Sequence, residues 1–225
     1  MTDQASGLIR YSAEDVASRT LAAADPGMAQ LIARLGSVEL NPGMVSDRFA
    51  SLVRGVVGQQ LSGRAAQRIF ERLRDDVGLT PDDVASASAE KLLSVGLSRR
   101  KVEYVHGLAC AVLSGELDLD GFDGLSDGEI LEKLVAIRGV GPWTAHMFLL
   151  FAMRRPDVIA PGDLGIRQAV GRLRGLGRAA TPAEVLEAAE RWRPYRSAAT
   201  FYLYRDSWAT TAGTVSREGD HPAAE

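Results

Sequence analysis

The stretch AIRGVGPWTA, residues 136–145, decides how this chain is read. An apolar, helix-like run arrives at Ile137; Gly139, Gly141 and Pro142 then fall within four residues, and helix-like sequence restarts at Trp143. The pattern predicts two helices joined by a tight hairpin. Gly139 can take the left-handed conformation that closes the first helix. Gly141 lets another backbone approach closely. Pro142 suits the first position of the next helix, where its missing N–H costs nothing. Backbone N–H groups near such a turn point outward with the positive end of a helix dipole behind them, which makes an anion site without side-chain charge. Taken alone, Gly-Val-Gly-Pro fits a plain helix–helix corner better, because short glycine motifs often arise by chance.

Helix signals continue on both sides of the hairpin. Ser12–Asp15 opens a helix that ends near Asp25-Pro26, and a second runs from about Met28 to Leu35. Phe49, Leu52, Val53, Val56 and Val57 suit one helical face. Ser62 can cap a helix to about Arg74, and Thr80-Pro81, Ser88 and Ser98 start three more. Ser126–Glu129 and Thr181–Glu184 read as capping boxes. No sustained two-residue alternation occurs, so no sheet is expected. The last helix is expected over Tyr195–Trp208, with residues 210–225 a disordered tail.

Composition narrows the class. The 225 residues are 46% hydrophobic and 24% charged, ordinary values for a globular chain. No apolar run is long enough to span a membrane, and the first residues lack the pattern of a secretory signal, so a cytoplasmic protein is expected, nucleoid-associated if the source is bacterial. Cys110 is the only cysteine, which excludes an internal disulfide framework, a cysteine-ligated iron–sulfur cluster and a multi-cysteine zinc site. The net charge of -3 is unevenly spread. Residues 1–137 hold 14 Lys and Arg against 20 acids, residues 138–205 hold 11 Arg against 5 acids, and residues 206–225 hold 1 Arg against 4. The basic segment is a candidate phosphate-facing surface; from charge alone, solvated helix faces are the preferred reading.

The match extends well beyond the turn. LVAIRGVGPWTA (134–145), with Asp163 in APGDLGIRQAV some twenty residues later, resembles the helix-hairpin-helix of the DNA glycosylase superfamily. GVVGQQLSGRAA (55–66), GLSRRKVEYVHGLA (96–109) and ERWRPYRSAATFYLYRDSW (190–208) are similar to the 3-methyladenine DNA glycosylase II branch, in its compact form without an N-terminal β-domain. The resemblance runs from about Asp25 to Trp208. It implies an all-α, two-lobed fold with an active-site cleft between the lobes. Residues 48–157 would form the central lobe, with the hairpin motif at about 130–152, and residues 10–47 with 158–209 the second.

The implied activity is excision of alkylated bases by hydrolysis of the N-glycosidic bond, after the base is rotated out of the duplex. Asp163 matches the catalytic aspartate, whose carboxylate stabilises positive charge building on the sugar; a helix N-cap over Leu164–Leu173 would also explain it. Trp143 stands where lyase-type relatives keep a nucleophilic lysine, and no lysine follows Lys133, so a monofunctional enzyme is implied. An indole face also attracts cationic bases such as 3-methyladenine and 7-methylguanine, although aromatic residues at helical spacing usually fill a core. Met147 and Tyr204 match other base-pocket positions. Gln59, Gln60 and Leu61 match the loop that enters the minor groove, with Gln60 or Leu61 as the wedge. Gly139, Val140, Gly141 and Thr144 would grip a phosphate, with Arg196 an added contact. The carbonyls of Val135, Ile137 and Val140 match positions that bind a monovalent cation, Na⁺ or K⁺; no cofactor is otherwise required. The implied partner is double-stranded DNA carrying alkylated bases, met by a monomer. Two alternatives stay open: a glycosylase for mismatched or deaminated bases, and a non-enzymatic helix-hairpin-helix DNA-binding protein.

Overall fold

Capping side chains fix most of the elements of this structure, a computed structural model that describes residues 9–40 and 47–217. The chain opens with strand β1 (Ile9–Tyr11), helices α1 (Val16–Ala24) and α2 (Pro26–Leu35), and strand β2 (Val38–Leu40). Helices α3 (Arg48–Gly58), α4 (Gly63–Asp76), α5 (Pro81–Ser86), α6 (Ala89–Ser94) and α7 (Arg99–Leu113) follow. After a 3₁₀ turn at Asp120–Gly124 come α8 (Asp127–Ala136) and α9 (Pro142–Met147), which runs into a π-helical turn over Phe148–Ala152. Helices α10 (Leu164–Leu173), α11 (Pro182–Ala189) and α12 (Arg196–Arg217) complete the chain. Ser62, Ser88 and Ser98 each accept a backbone N–H as N-caps, and Ser126–Glu129 and Thr181–Glu184 close reciprocal capping boxes. The fold is predominantly helical, as the sequence predicts.

Two expectations fail. β1 and β2 pair antiparallel, with Arg10 opposite Glu39 and Tyr11 opposite Val38. Strands of three residues are too short for alternation to show in the sequence. Helix α12 also continues to Arg217 instead of giving way to a tail from residue 210, because no proline interrupts residues 195–217. The rest of the expected tail, residues 218–225, lies outside the described residues.

The described backbone divides into two units, one within residues 42–155 and the other within residues 1–41 and 156–225. The sequence reading placed these limits at 48 and 157. In the continuous unit, α3 is the central helix: Leu52, Val53, Val56 and Val57 are fully buried, and α3 packs on α4, α7, α9 and the π-helical turn. Phe122 meets Phe148 edge to face at 5.9 Å in the same core. In the other unit, α12 packs on α10 and α2, burying Tyr202 and Leu203. Asp25, 4% exposed, organises that core: Oδ1 accepts the N–H groups of Gly27 and Met28, and Oδ2 accepts the indole N–H of Trp192 at 3.1 Å. No described helix is long and apolar enough to cross a membrane.

Candidate active site and its flanking turns

The hairpin between α8 and α9 forms as predicted, but its two glycines exchange the role expected of one of them. The Val140 N–H closes a turn on the Ile137 carbonyl at 3.0 Å, and Gly139 sits at φ +94°. A Cβ added at Gly139 would lie 2.2 Å from Cγ of Tyr104, so the close approach belongs here, against a side chain of α7. Gly141 has ordinary φ, and a Cβ there would meet nothing within 4 Å. As the N-cap of α9, Gly141 offers no side-chain oxygen to the first N–H groups of that helix. Trp143, in the first turn, is 37% exposed and so is not core filler.

Thr144 and Gln59, expected to face DNA, turn inward. Thr144 is 2% exposed, and its methyl group lies against α3 so closely that a Cβ at Gly55 would come within 2.7 Å of it. The Gln59 amide donates to the Gly139 carbonyl at 2.9 Å and to Thr144 Oγ1 at 3.1 Å. Gln60 and Leu61 face outward instead: Gln60 is exposed at φ +57°, and Leu61 is 40% exposed. A non-glycine residue held in the left-handed region is costly and concentrates at functional sites. Met147 is buried at 5%.

Sequence reasoning missed Lys101 altogether. Its ammonium donates to the carbonyls of Val57 and Gln59, at 2.7 and 2.8 Å, the last carbonyls before the exposed turn. Burial pushes this amine below its ordinary value. No sequence signal identifies the contact, because its partners are backbone atoms more than 40 positions away.

Asp163 is both a cap and a held carboxylate. Oδ1 accepts the Ile166 N–H at 3.0 Å, as the N-cap of α10. Oδ2 accepts the Tyr204 hydroxyl from α12 at 3.1 Å. Tyr204 is 8% exposed. Burial, then the charge of Asp163 and its hydrogen bond, raise this phenol well above its usual value, so it stays a protonated donor. The Ile166 N–H, the Tyr204 hydroxyl and the positive end of a helix dipole therefore hold the carboxylate in one orientation. Tyr204, expected as a pocket wall, is thus also a ligand of the aspartate.

Arg196, expected as a phosphate contact, is engaged within the chain. Its Nε meets Asp157 Oδ1 at 2.8 Å, its Nη2 donates to the Asp157 carbonyl at 2.6 Å, and its side chain is 15% exposed. Burial opposes the charge on Asp157, but the hydrogen bonds and charge of Arg196, aided by Arg193, hold its carboxyl below the usual range. The sequence could not show this pair, which spans 39 residues.

At the end of α8, Val135 lies in the last turn, where carbonyls lack intrahelical donors. The Ile137 carbonyl accepts the Val140 N–H at 3.0 Å. Among the described residues, no group of three or more His, Cys, Asp or Glu side chains could hold a metal ion.

The chain matches the family model described as HhH-GPD superfamily base excision DNA repair protein over residues 53–194. It is 32% identical over 193 residues to DNA-3-methyladenine glycosylase 1 of Schizosaccharomyces pombe, covering 83% of this chain and 85% of that protein. DNA-3-methyladenine glycosylase of Bacillus subtilis is 29% identical over 72% of the chain; the chain covers 57% of that longer protein. The solved structure of Schizosaccharomyces pombe 3-methyladenine DNA glycosylase in complex with abasic DNA superposes with a TM-score of 0.80 at 32% identity, over 86% of this chain and 97% of that one.

Proposed function

The chain belongs to the HhH-GPD superfamily of base excision DNA repair proteins, and from that premise we propose that it is a monofunctional DNA glycosylase. Its reaction is the hydrolytic release of alkylated bases of the 3-methyladenine and 7-methylguanine type from double-stranded DNA, leaving an abasic site in the first step of base excision repair. The observation that carries the reading is Asp163, held by the Ile166 N–H and the Tyr204 hydroxyl.

In this reading the carboxylate of Asp163 stabilises the oxocarbenium-like sugar as the N-glycosidic bond breaks, and positions the attacking water. The Ile166 N–H and the Tyr204 hydroxyl keep the carboxylate oriented. Alkylated purines are cationic and already good leaving groups, so a dedicated general acid is not required. The exposed indole of Trp143 offers an electron-rich face to such a base. It also occupies the lyase lysine's position, which leaves water as the nucleophile. The hairpin around Gly139 and Gly141 grips a DNA phosphate through backbone N–H groups, and Gln60 or Leu61 fills the space left by the extruded base. The carbonyls of Val135, Ile137 and Val140 would hold Na⁺ or K⁺, whose charge would strengthen that grip. The enzyme acts as a monomer in the compartment that holds the DNA.

The test is base release from methylated duplex DNA, with the free bases separated by chromatography. Cationic methylpurines should be released far faster than uracil; the reverse order would assign a deaminated-base glycosylase. Asp163→Asn should lower release by about a hundredfold or more while DNA binding persists. A variant at full activity would remove the proposed mechanism. Product strands should stay intact until heated in alkali, and borohydride should trap no covalent complex.

A further inference from the structure

The outward turn at Gln60-Leu61 and the phosphate-gripping hairpin are separate in sequence, yet one face of α7 touches the hairpin and the end of α3 that leads into the turn. Lys101 and Tyr104 are three positions apart, the spacing that places two side chains on the same helical face. Lys101 Nζ donates to the carbonyls of Val57 and Gln59 at the end of α3. Helix ends present carbonyls without intrahelical donors, at the negative end of the dipole. A lysine bonded to two of them therefore works as a charged C-cap. Tyr104 lies beneath Gly139, where a Cβ would penetrate its ring, and Arg138 of the hairpin stands 5.8 Å over the same ring.

A second connection runs directly between the two turns. Gln59 extends from the end of α3 to bond Gly139 O and Thr144 Oγ1. Thr144 in turn packs on Gly55, one helical turn before Gln59. The exposed turn, the hairpin and α7 thus form a closed loop of contacts within one unit.

We propose that Lys101 and Gln59 form a bracket that fixes the wedge turn against the phosphate grip, making both positioning residues for base extrusion. This rests on the glycosylase reading above. Gln60 is held at φ +57°, a conformation that a free turn abandons at little cost. The two lysine hydrogen bonds hold the carbonyls on its N-terminal side. The hairpin grip then sets the depth at which the wedge enters the duplex. Both side chains are bonded to protein oxygens, so losing the bracket should slow extrusion and spare both affinity and bond cleavage.

The test compares one lesion, 7-methylguanine, in two duplexes. In one it is correctly paired; in the other it faces a mismatched base, where extrusion costs less. Single-turnover release is measured at saturating enzyme, beside affinity for undamaged duplex and thermal melting. Lys101→Met should slow release from the paired duplex by about tenfold, with a clearly smaller loss on the mismatched one. Affinity for undamaged duplex should stay within about twofold. Lys101→Arg keeps the charge and two donors and should restore most of the paired-duplex rate. Gln59→Leu should repeat the Lys101→Met pattern. Equal losses on both duplexes would overturn the proposal, as would full activity of Lys101→Met. If the wild-type protein releases no base from either duplex, the glycosylase reading fails, which is a different result from failure of the bracket.

Discussion

At the scale of single residues, the two aromatic side chains first grouped as pocket walls turn out to have different environments. Trp143 is 37% exposed. Tyr204 is buried, and its hydroxyl is directed at Asp163. A hydrogen bond to a charged group contributes about 1.5–3 kcal/mol. If the carboxylate needs that bond most as the sugar gains positive charge, Tyr204→Phe should lower kcat by roughly ten- to a hundredfold with little change in KM. Phenylalanine keeps the ring and its packing, so the melting temperature should fall only modestly. Single-turnover release with the Phe variant checks this. A wild-type rate would show that the Tyr204 hydroxyl is not needed to orient Asp163.

At the scale of elements, the hairpin depends on Gly139 for two reasons at once. Its φ of +94° is rarely open to a side chain, and a Cβ would sit 2.2 Å from the Tyr104 ring of α7. Gly139→Ala should therefore destabilise the protein by about 2–4 kcal/mol, combining backbone strain with overpacking. It should also weaken binding to undamaged duplex, whereas Gly141→Ala, which meets open space, should leave the melting temperature nearly unchanged. Thermal melts of the two variants decide it, and equal shifts would refute this division of roles. The sequence revealed the hairpin and nearly every helix start because caps are local: Ser62, Ser98, Ser126, Asp163 and Thr181 each bond an N–H three residues on. It could not show Lys101 on the Val57 carbonyl or Gln59 on Gly139, contacts across 44 and 80 residues that exist only once helices have packed. The same limit misplaced the close approach at Gly141, since either glycine satisfies the motif and only the position of Tyr104 chooses between them.

At the scale of the whole molecule, the basic segment of residues 138–205 suggests a phosphate-binding face, but much of its charge is answered within the chain. Arg196 pairs with Asp157, Arg178 with Glu184, Arg172 with Asp206, and Arg193 with both Asp157 and Glu190. An arginine held by its own carboxylate releases few counterions when DNA arrives, so the positive balance of the segment overstates its contribution to binding. Arg196 makes the point testable. A residue that neutralises one phosphate contributes about 0.9 to the slope of log affinity against log salt. Arg196→Gln should leave that slope unchanged within error and instead lower stability by about 1–3 kcal/mol, because Arg193 still pairs with Asp157 but the two short bonds from Arg196 are lost. Fluorescence anisotropy on undamaged duplex at several salt concentrations, beside a thermal melt, separates the two outcomes. A slope shallower by nearly one unit with an unchanged melting temperature would return Arg196 to the DNA interface. The expected result instead means that the positive balance of residues 138–205 overstates Arg196's share of any phosphate contact.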